Sequence, residues 1–415
     1  MASTHLTRSI TSTNTSWTLS VWVKRSAITS TQYMMSWGNS GTENGIGFSS
    51  SDKFQYYSAA TGSNPTSSAL YRDTNGFYHF VVRNNAGTIT FYVNGEAISM
   101  TGGTSGSALN SSTMRIGDWT TGAYHFDGIM SHLHFIDGTA YDASTFGSTD
   151  STTGEWKINT SPSVTYGSDG FFILKDGNSV TDASPNTNNF TVAGGTLTKT
   201  EDCPSNVFAT INPLDNYYQS STFSEGNNTV EHGSSPWTFN TSTLKIPENT
   251  KFYFEAKVIT MNQCTIGIQK NVSSGTGDYL GQTTAVSFRG HQGDVIKNGS
   301  AAGGTFATYT ANDIISVACD TVNNRIFFGK NGTWLNSGDP TSSTGAITID
   351  DNTDYFFALG DNTSGARGKW SANFGNGYFG TTAVSSAGTN ASGIGIFEYD
   401  VPSGYTALST KGLNE

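Results

Sequence analysis

Asn-Gly pairs set between runs of alternating apolar residues constrain the fold of this chain more than any other feature. They occur at Asn94-Gly95, Asn298-Gly299 and Asn331-Gly332, each directly after a strand-like run. Asn-Gly is the strongest short hairpin signal, because both central residues of the favoured two-residue turn need φ > 0. The chain is therefore predicted to fold back on itself in antiparallel hairpins.

The runs between these turns have the period of a β-strand. In TSWTLSVWVKRS, Trp17, Leu19 and Val21 fall on one face, whereas Trp22 falls on the other. Alternation with period two, rich in β-branched and aromatic residues, is typical of a strand. Similar runs recur along the chain at the spacing of a β-sandwich, and helical periodicity is absent apart from a single turn at DASTFG. The sequence therefore predicts an all-β protein.

Composition and charge exclude several classes of function. Charged residues make up 13% of the 415-residue chain and aromatic residues 12%, which is the reverse of a disordered composition. The net charge is −11, and no basic cluster exceeds Lys24-Arg25, so the basic stripe of a nucleic-acid binder is missing. No apolar run approaches the length that spans a bilayer. We expect neither nucleic-acid binding nor membrane insertion.

The N-terminus and the cysteines indicate where the chain is made. The segment MASTHLTRSITSTNTSW lacks the apolar core of a secretory signal, so we expect synthesis in a cytoplasm without a signal peptide. The three cysteines are Cys203, Cys264 and Cys319. The last two lie in strand-like segments, which favours buried free thiols over a disulfide between them.

Changes in residue composition and strand pattern along the chain divide it into three parts. Residues 1–146 form a first β block, and residues 207–415 form a second block with the same Asn-Gly device. Residues 147–206 between them are rich in turns but contain the short apolar runs GFFILKDG and NFTVAGG. We interpret them as a connector that carries a few strands and packs on a neighbour, because such apolar runs are not left in water.

The first block resembles the laminin-G-like, concanavalin A-like domain. The matching runs are Gly76–Val81, Gly87–Gly95, Ile116–Asp118 and Phe126–Ile129. The second block is similar to a SPRY domain, through the runs Phe252–Ala256, Ile266–Ile268, Asn312–Ile315, Phe327–Gly332, Phe356–Leu359 and Asn373–Gly375. These resemblances imply two concanavalin A-like β-sandwiches of jelly-roll type, joined by the strand-bearing connector.

A laminin-G-like domain followed by a SPRY domain is similar to structural proteins of tailed phages, marine ones in particular. The resemblance implies a non-enzymatic protein on the virion surface, namely a tail fibre or receptor-binding component that contacts host surface glycans. The alternative is a head-decoration or head-fibre protein on the capsid. Other virion proteins of the tail or capsid are the expected partners, and we expect a homo-oligomer, with a trimer ahead of a dimer.

A glycan-degrading enzyme is the alternative from another class. Concanavalin A-like glucanases resemble one another in a strand with the pattern E-x-D-x-x-E, whose carboxylates serve as nucleophile and general acid. The closest match here is Glu398, Asp400 and Ser403, in which the last acid is replaced and Pro402 interrupts the strand. We therefore expect no catalytic residues and no enzymatic activity.

A metal site is not expected either, although one group of histidines has a spacing that such a site could use. His125, His132 and His134 cluster in AYHFDGIMSHLHF, but a metal needs a third ligand held nearby, and Asp127 has the wrong parity. A polar outer strand face accounts for these histidines. The chain is expected to need no cofactor, with calcium bound through Asp118 or Asp127 left as an open alternative.

The candidate glycan-binding residues are Asp118, Trp119 and Tyr124. They surround the small residues Thr120–Ala123 in a predicted loop at the rim of the first block. An aromatic ring on such a loop offers a flat face to sugar C–H groups, and a nearby carboxylate accepts hydrogen bonds from hydroxyls. The competing interpretation is that Trp119 packs against the connector.

Overall fold

A computed structural model describes residues 4–175, 179–215, 221–233, 238–270, 280–351, 353–362 and 367–414. The contacts divide the chain into two compact units, Met1–Ser205 and Asn206–Glu415. The turn-rich residues 147–205 belong to the first unit. We refer to them below as the covering segment.

The first unit is built from short strands with one turn of 3₁₀ helix at Ala143–Thr145. In chain order the strands are β1 (His5–Ile10), β2 (Trp17–Arg25), β3 (Gln32–Trp37), β4 (Asn44–Phe48), β5 (Lys53–Ser58), β6 (Thr66–Leu70), β7 (Tyr78–Asn85), β8 (Thr88–Val93), β9 (Glu96–Ile98), β10 (Met100–Thr101), β11 (Ser112–Ile116), β12 (Gly128–Asp137), β13 (Gly147–Thr149), β14 (Trp156–Ile158), β15 (Phe171–Ile173) and β16 (Thr191–Gly194).

Two antiparallel sheets of the first unit face each other across one core. One has the strand order β10-β6-β5-β4-β3-β11-β1-β16, and the other has the order β15-β12-β2-β7-β8-β9. The alternating apolar residues of both sheets meet in a single cluster that includes Leu6, Met34, Phe54, Trp17, Phe80 and Phe135. The period-two pattern of the sequence therefore marks the inner faces of a sandwich.

The covering segment closes the outer face of the second of these sheets. It adds β15 to β12 and β16 to β1. Its residues Trp156 and Tyr166 pack on a second apolar cluster that includes Val81 and Ile136. As a consequence, all nine residues of β2 are buried, although alternation alone would leave one face of a strand in water.

A stack of rings shows how tightly this outer face is sealed. Trp22 stacks on His79 with 4.7 Å between ring centroids, and Trp156 of the covering segment lies beside the same imidazole and nearly parallel to it, with 6.0 Å between centroids. The Trp156 indole N–H donates to His79 Nδ1 at 2.9 Å. Burial lowers the pKa of His79 to about 3, so the imidazole is neutral and can accept this hydrogen bond.

The second unit is also built from strands, with one turn of 3₁₀ helix at Gly412–Asn414. Its strands are β17 (Thr222–Ser224), β18 (Thr229–Glu231), β19 (Thr238–Thr241), β20 (Lys251–Thr260), β21 (Cys264–Gln269), β22 (Ala285–Arg289), β23 (Asp294–Lys297), β24 (Ser300–Ala301), β25 (Ile314–Asp320), β26 (Arg325–Lys330), β27 (Thr333–Trp334), β28 (Ile347–Thr348), β29 (Phe356–Asp361), β30 (Lys369–Asn373), β31 (Tyr378–Phe379), β32 (Thr382–Ala383) and β33 (Thr406–Ala407).

These strands form a second sandwich. One sheet has the order β17-β18-β30-β20-β25-β26-β27, with β28 paired to β26 and β33 paired parallel to β20. The other has the order β19-β29-β21-β22-β23-β24. Residues from both sheets share one core, including Phe254, Val317, Trp370, Ile266, Phe288 and Phe357. The predicted all-β class with two sandwiches is confirmed.

The same hairpin device appears in both units. Asn94, Asn298 and Asn331 all have positive φ, between 49° and 50°. Each pairs twice with a residue of the strand that lies beside the hairpin's first strand, namely β7, β22 or β25. At the first turn, which joins β8 to β9, the Asn94 N–H donates to the carbonyl of His79 on β7, and Asn94 Oδ1 accepts the His79 N–H at 2.8 Å. Asn298 pairs in this way with Ala285, and Asn331 with Ile314.

The cysteines and the helices add two observations. Cys203, Cys264 and Cys319 all lie in described parts of the chain, and all three are free thiols. Cys264 and Cys319 are buried in strands of the second unit.

Within the described ranges, no helix has the length and apolarity needed to cross a membrane.

Candidate functional site

The loop between β11 and β12 forms an ordered rim of the first sandwich. We call residues 117–126 the rim loop. Backbone hydrogen bonds join it to the neighbouring strand, from Gly117 to the Met34 carbonyl at 2.8 Å and from Tyr33 to the Tyr124 carbonyl at 3.0 Å. The loop is closed on itself by the Phe126 N–H, which donates to Gly117. These bonds fix the side chains that the loop presents.

Four aromatic residues gather on this rim. Trp119 lies 4.5 Å from the Tyr33 ring and 5.4 Å from the Tyr57 ring, and Tyr33 in turn contacts Tyr124 edge-on at 6.2 Å. Gly45 lies beneath them, and a Cβ at that position would overlap the rings of Trp119 and Tyr33. We call Tyr33, Tyr57, Trp119 and Tyr124 the rim aromatic cluster.

The members of the cluster differ in how far they reach into solvent. Tyr33 is buried, Trp119 and Tyr57 are partly buried, and Tyr124 is 54% exposed. Burial raises the pKa of Tyr33 to about 12, so its hydroxyl stays protonated at neutral pH. The cluster therefore offers a ring platform with neutral hydroxyl groups at its edge.

Asp118 points away from this platform. Its side chain is fully buried, and Oδ2 accepts a hydrogen bond from Arg115 Nη1 at 3.2 Å and lies 3.5 Å from His5 Nδ1. Burial raises the pKa of Asp118, and the charges of His5, Arg115 and His125 oppose that shift. Of the three predicted glycan-binding residues, the structure places Trp119 and Tyr124 together and turns Asp118 inward.

Sequence reasoning missed Tyr33 and Tyr57 as members of the site. They lie on β3 and β5, which reach the rim loop only because the sheet order places β3 beside β11. Tyr33 and Tyr57 are the ring partners that the structure shows for Trp119, so it packs on the sandwich itself. No short motif of the sequence carries this pairing.

The three candidate metal-ligating histidines lie in two places, with His125 in one and both His132 and His134 beside Phe172 in the other. His125 comes close to His5 and Asp118, with donor atoms all within 4.8 Å of one another. His134 instead stacks on Phe172 at 3.8 Å, and its Nδ1 lies 2.8 Å from the Tyr166 hydroxyl. The expected polar outer face of this strand is wrong at His134, which is only 2% exposed because the covering segment lies over it.

The remaining candidates for ligand or catalytic roles are engaged locally. Asp127 is partly buried, and its carbonyl accepts the Ser26 N–H at 3.0 Å. Glu398 accepts hydrogen bonds from both the N–H and the hydroxyl of Ser385. Asp400 does the same for Thr389, at 2.6 and 2.8 Å. Both acids lie outside the strands, in an irregular loop that these bonds fasten.

One of the buried acids of the second unit, Glu255, contacts this same loop, and no motif indicated it. Glu255 on β20 is fully buried and accepts the backbone N–H groups of Glu398 and Tyr399 at 2.8 and 2.9 Å. The Tyr253 hydroxyl donates to the same carboxyl group at 2.7 Å. Burial raises the pKa of Glu255 to about 7, against the opposing effect of these donors. This carboxyl group fastens the loop of residues 396–400 to the sheet.

Comparisons with protein families agree with this two-part architecture. Residues 2–144 match the model of the concanavalin A-like lectin/glucanases superfamily, in its laminin G form. Residues 251–346 match the model of the SPRY domain. A search of curated protein sequences returned no match.

Solved structures were also compared. The SPRY domain of human HERC1 is 14% identical, with a TM-score of 0.32, and the match covers 39% of this chain and 96% of that one. The PSpry domain of TRIM65 is 11% identical, with a TM-score of 0.29, over 40% and 91%. The native heptameric SAP-like pentraxin from Limulus polyphemus is 15% identical, with a TM-score of 0.27, over 33% and 71%.

Proposed function

Starting from a chain that carries a concanavalin A-like domain followed by a SPRY domain, we propose that this is a non-enzymatic structural protein of a tailed-phage virion surface. Its task is to contact glycans on the host surface as part of a tail fibre or receptor-binding assembly. The observation that carries the glycan contact is the rim aromatic cluster. The order of the two domains is what supports the virion assignment.

The cluster suits a carbohydrate for a physical reason. Sugar rings bind proteins by stacking their C–H faces on aromatic side chains while their hydroxyls exchange hydrogen bonds with polar groups. Trp119 and Tyr57 supply partly exposed rings, and Tyr124 supplies a more exposed one. The rim loop is fixed by backbone bonds, so little conformational entropy is lost when a ligand binds.

The burial of Asp118 changes which groups would meet the sugar hydroxyls. Its carboxylate lies behind the loop, beside Arg115 and His5. The polar groups that the rings and the exposed part of the rim loop offer to a ligand are the hydroxyl groups of Tyr57 and Tyr124 and the backbone of Thr121 and Gly122. We therefore assign the contact to rings and neutral donors, which favours uncharged sugars over acidic ones.

The local roles of Glu398 and Asp400 support a binding protein over a glucanase. Each accepts two hydrogen bonds from a neighbouring loop residue, so each carboxylate holds the loop in its conformation. A retaining glycosidase needs two carboxyl groups that face one cleft about 5 Å apart. Release of reducing sugars from a host polysaccharide by the purified chain would revive the enzyme alternative.

Two variants test the glycan contact. Trp119→Ala removes the central ring, and Tyr124→Asn removes the exposed ring while placing a residue that tolerates the positive φ of 53° at this position. We expect each to weaken binding to host cells or their purified surface polysaccharide by roughly tenfold, about 1.4 kcal/mol. The matched control is Tyr378→Asn, which removes a partly exposed tyrosine of the second unit.

The melting temperature separates binding from folding in this test. Trp119→Ala also loses contacts with Tyr33 and Tyr57, so it is expected to melt earlier than the wild type, whereas Tyr124→Asn should melt close to it. If both variants bind host cells as tightly as the wild type does, the rim aromatic cluster is not the glycan-binding site.

The place on the particle needs a separate experiment. A capsid position, as a head-decoration or head-fibre protein, would use the same two domains. Immunogold or Fab labelling of intact particles, viewed by electron microscopy, is expected to mark the tail. Label confined to the head would replace the tail assignment, and particles without label would refute a virion role.

A further inference from the structure

Three donor side chains meet behind the rim loop although they are far apart in sequence. His5 begins β1, Asp118 follows β11, and His125 lies near the end of the rim loop. Their donor atoms all lie within 4.8 Å of one another, and the two imidazole rings are nearly parallel, with 6.3 Å between centroids. Strand pairing between β1 and β11 produces this meeting, because Leu6 lies opposite Ile116.

Two atoms of this cluster are buried without a hydrogen-bond partner. They are Asp118 Oδ1 and His125 Nδ1. Leaving a buried carboxylate oxygen unsatisfied is costly, and native structures pair nearly all such atoms. Arg115 occupies only the other oxygen, Oδ2. The site therefore has acceptor capacity that the protein itself does not use.

The donor set identifies the ligand class. We propose that His5, Asp118 and His125 bind one zinc ion or a related late first-row transition ion, through two imidazole nitrogens and a carboxylate oxygen. Imidazole suits zinc, copper, iron and nickel, whereas calcium takes oxygen ligands, so two histidines argue against calcium. Three protein ligands leave the fourth tetrahedral position to water or another small ligand.

The distances fit this coordination with a small adjustment. Ligands about 2.0–2.1 Å from a tetrahedral zinc ion lie about 3.3 Å from one another. His5 Nδ1 already lies beside the Asp118 carboxyl group, 3.5 Å from its other oxygen, Oδ2. Since no pair of donor atoms is more than 4.8 Å apart, each pair has to close by at most about 1.5 Å, and the partly buried side chains of His5 and His125 can rotate to do so.

The positive charge of Arg115 repels a cation at this site, but the position of its guanidinium group limits that repulsion. Its side chain approaches Oδ2, so the metal would take Oδ1 while the guanidinium orients the carboxylate from behind, as partners of metal ligands commonly do. Its positive charge still repels the ion. We therefore expect a dissociation constant for zinc in the micromolar range, which corresponds to a binding free energy of about −8 kcal/mol.

The test uses the tag-free full-length chain, because an affinity tag of histidines would bind zinc itself. A Cys203→Ser background removes the partly exposed thiol as a competing ligand. Isothermal titration with zinc chloride is expected to give one site per chain. His125→Ala and Asp118→Asn should weaken binding at least tenfold, and the matched control His291→Ala, from the second unit, should bind as the parent does.

Thermal melting with and without zinc is the second readout. Zinc at 100 times its dissociation constant should raise the melting temperature of the parent and not that of His125→Ala, because a ligand that binds only the folded state stabilises it. If Asp118→Asn does not fold, His125→Ala decides alone. The site would be refuted if the parent showed no saturable zinc binding, or if His125→Ala bound zinc as tightly as the parent. It would also be refuted if His291→Ala lost as much zinc affinity as His125→Ala.

Discussion

Two buried carboxyl groups, Asp118 and Glu255, show how differently this fold supports an acid. Asp118 has cationic or protonatable neighbours, namely Arg115, His5 and His125. Glu255 receives hydrogen bonds from two backbone N–H groups and one hydroxyl, and its charged neighbour is another acid, Glu398. Since a buried charge without a countercharge is costly, the Glu255 carboxyl takes up a proton more readily than a solvent-exposed one.

The raised pKa of Glu255 predicts a pH-dependent stability. The pKa of about 7 in the folded state lies above the ordinary value of 4.5, so the folded state keeps a proton that the unfolded state releases between pH 4.5 and pH 7. Protonation of Glu255 contributes about 3 kcal/mol to the free energy of unfolding. This contribution is complete below pH 4.5 and is lost as the pH rises through 7. Urea unfolding at pH 5 and pH 7.5 measures the change.

Glu255→Gln provides the reference for this measurement, because it cannot titrate. The wild type should lose stability relative to Glu255→Gln between pH 5 and pH 7.5, while all other groups cancel in the difference. Parallel curves for the two proteins would show that Glu255 does not titrate in this range.

The residue scale also shows what the sequence could and could not predict. Trp119 and Tyr124 were identified because aromatic residues in a polar loop stand out from the strand pattern. Asp118 was placed on the same surface because it is adjacent to Trp119, but it is the last residue governed by the β11 alternation and turns inward to Arg115. Tyr33, Tyr57 and His5 join the site through sheet order, which a single sequence does not encode locally.

Among the elements, the covering segment has the largest effect on the first sandwich. Its strand β15 extends one sheet beside β12, and β16 extends the other beside β1. Trp156 and Tyr166 shield the outer face around His79 and Val81. The sequence predicted short strands in this segment from its apolar runs, but not that a strand such as β2 would be buried on both faces, because the shielding residues are more than a hundred positions away.

Truncation tests the contribution of the covering segment. We expect residues 1–205 to fold alone with a cooperative melt, because they form one compact unit. Residues 1–146 should aggregate or melt far earlier, because Val81 and Ile136 would face water. Circular dichroism melts of the two purified fragments make the comparison, and equal melting temperatures would show that the covering segment is dispensable.

At the scale of the whole molecule, the described strands leave edges through which copies could associate. β9 and β10 end the two sheets of the first unit, and β24 and β27 end those of the second. Unpaired strand edges and sheet faces are common routes to self-association. We propose a homotrimer, in line with the proposed role in a fibre.

Light scattering coupled to gel filtration measures the assembly directly. A chain of 44.1 kDa should elute with three times that mass, and the mass should be unchanged on dilution. A monomeric mass at all concentrations would contradict the trimer, and a dimeric mass would call for a two-fold interface instead.

The paired asparagine turns also bear on how this protein ages. Asn-Gly peptides deamidate spontaneously when the glycine nitrogen attacks the asparagine carboxamide to form a succinimide. In the turns at Asn94, Asn298 and Asn331 the carboxamide oxygen accepts an N–H from the strand beside the hairpin's first strand, so the attack requires that pairing to break first. We therefore expect folded chains to deamidate at these positions far more slowly than unfolded ones, as peptide mass spectrometry of stored samples can measure. The device that sets strand register would then also preserve the covalent chain during long storage outside a cell.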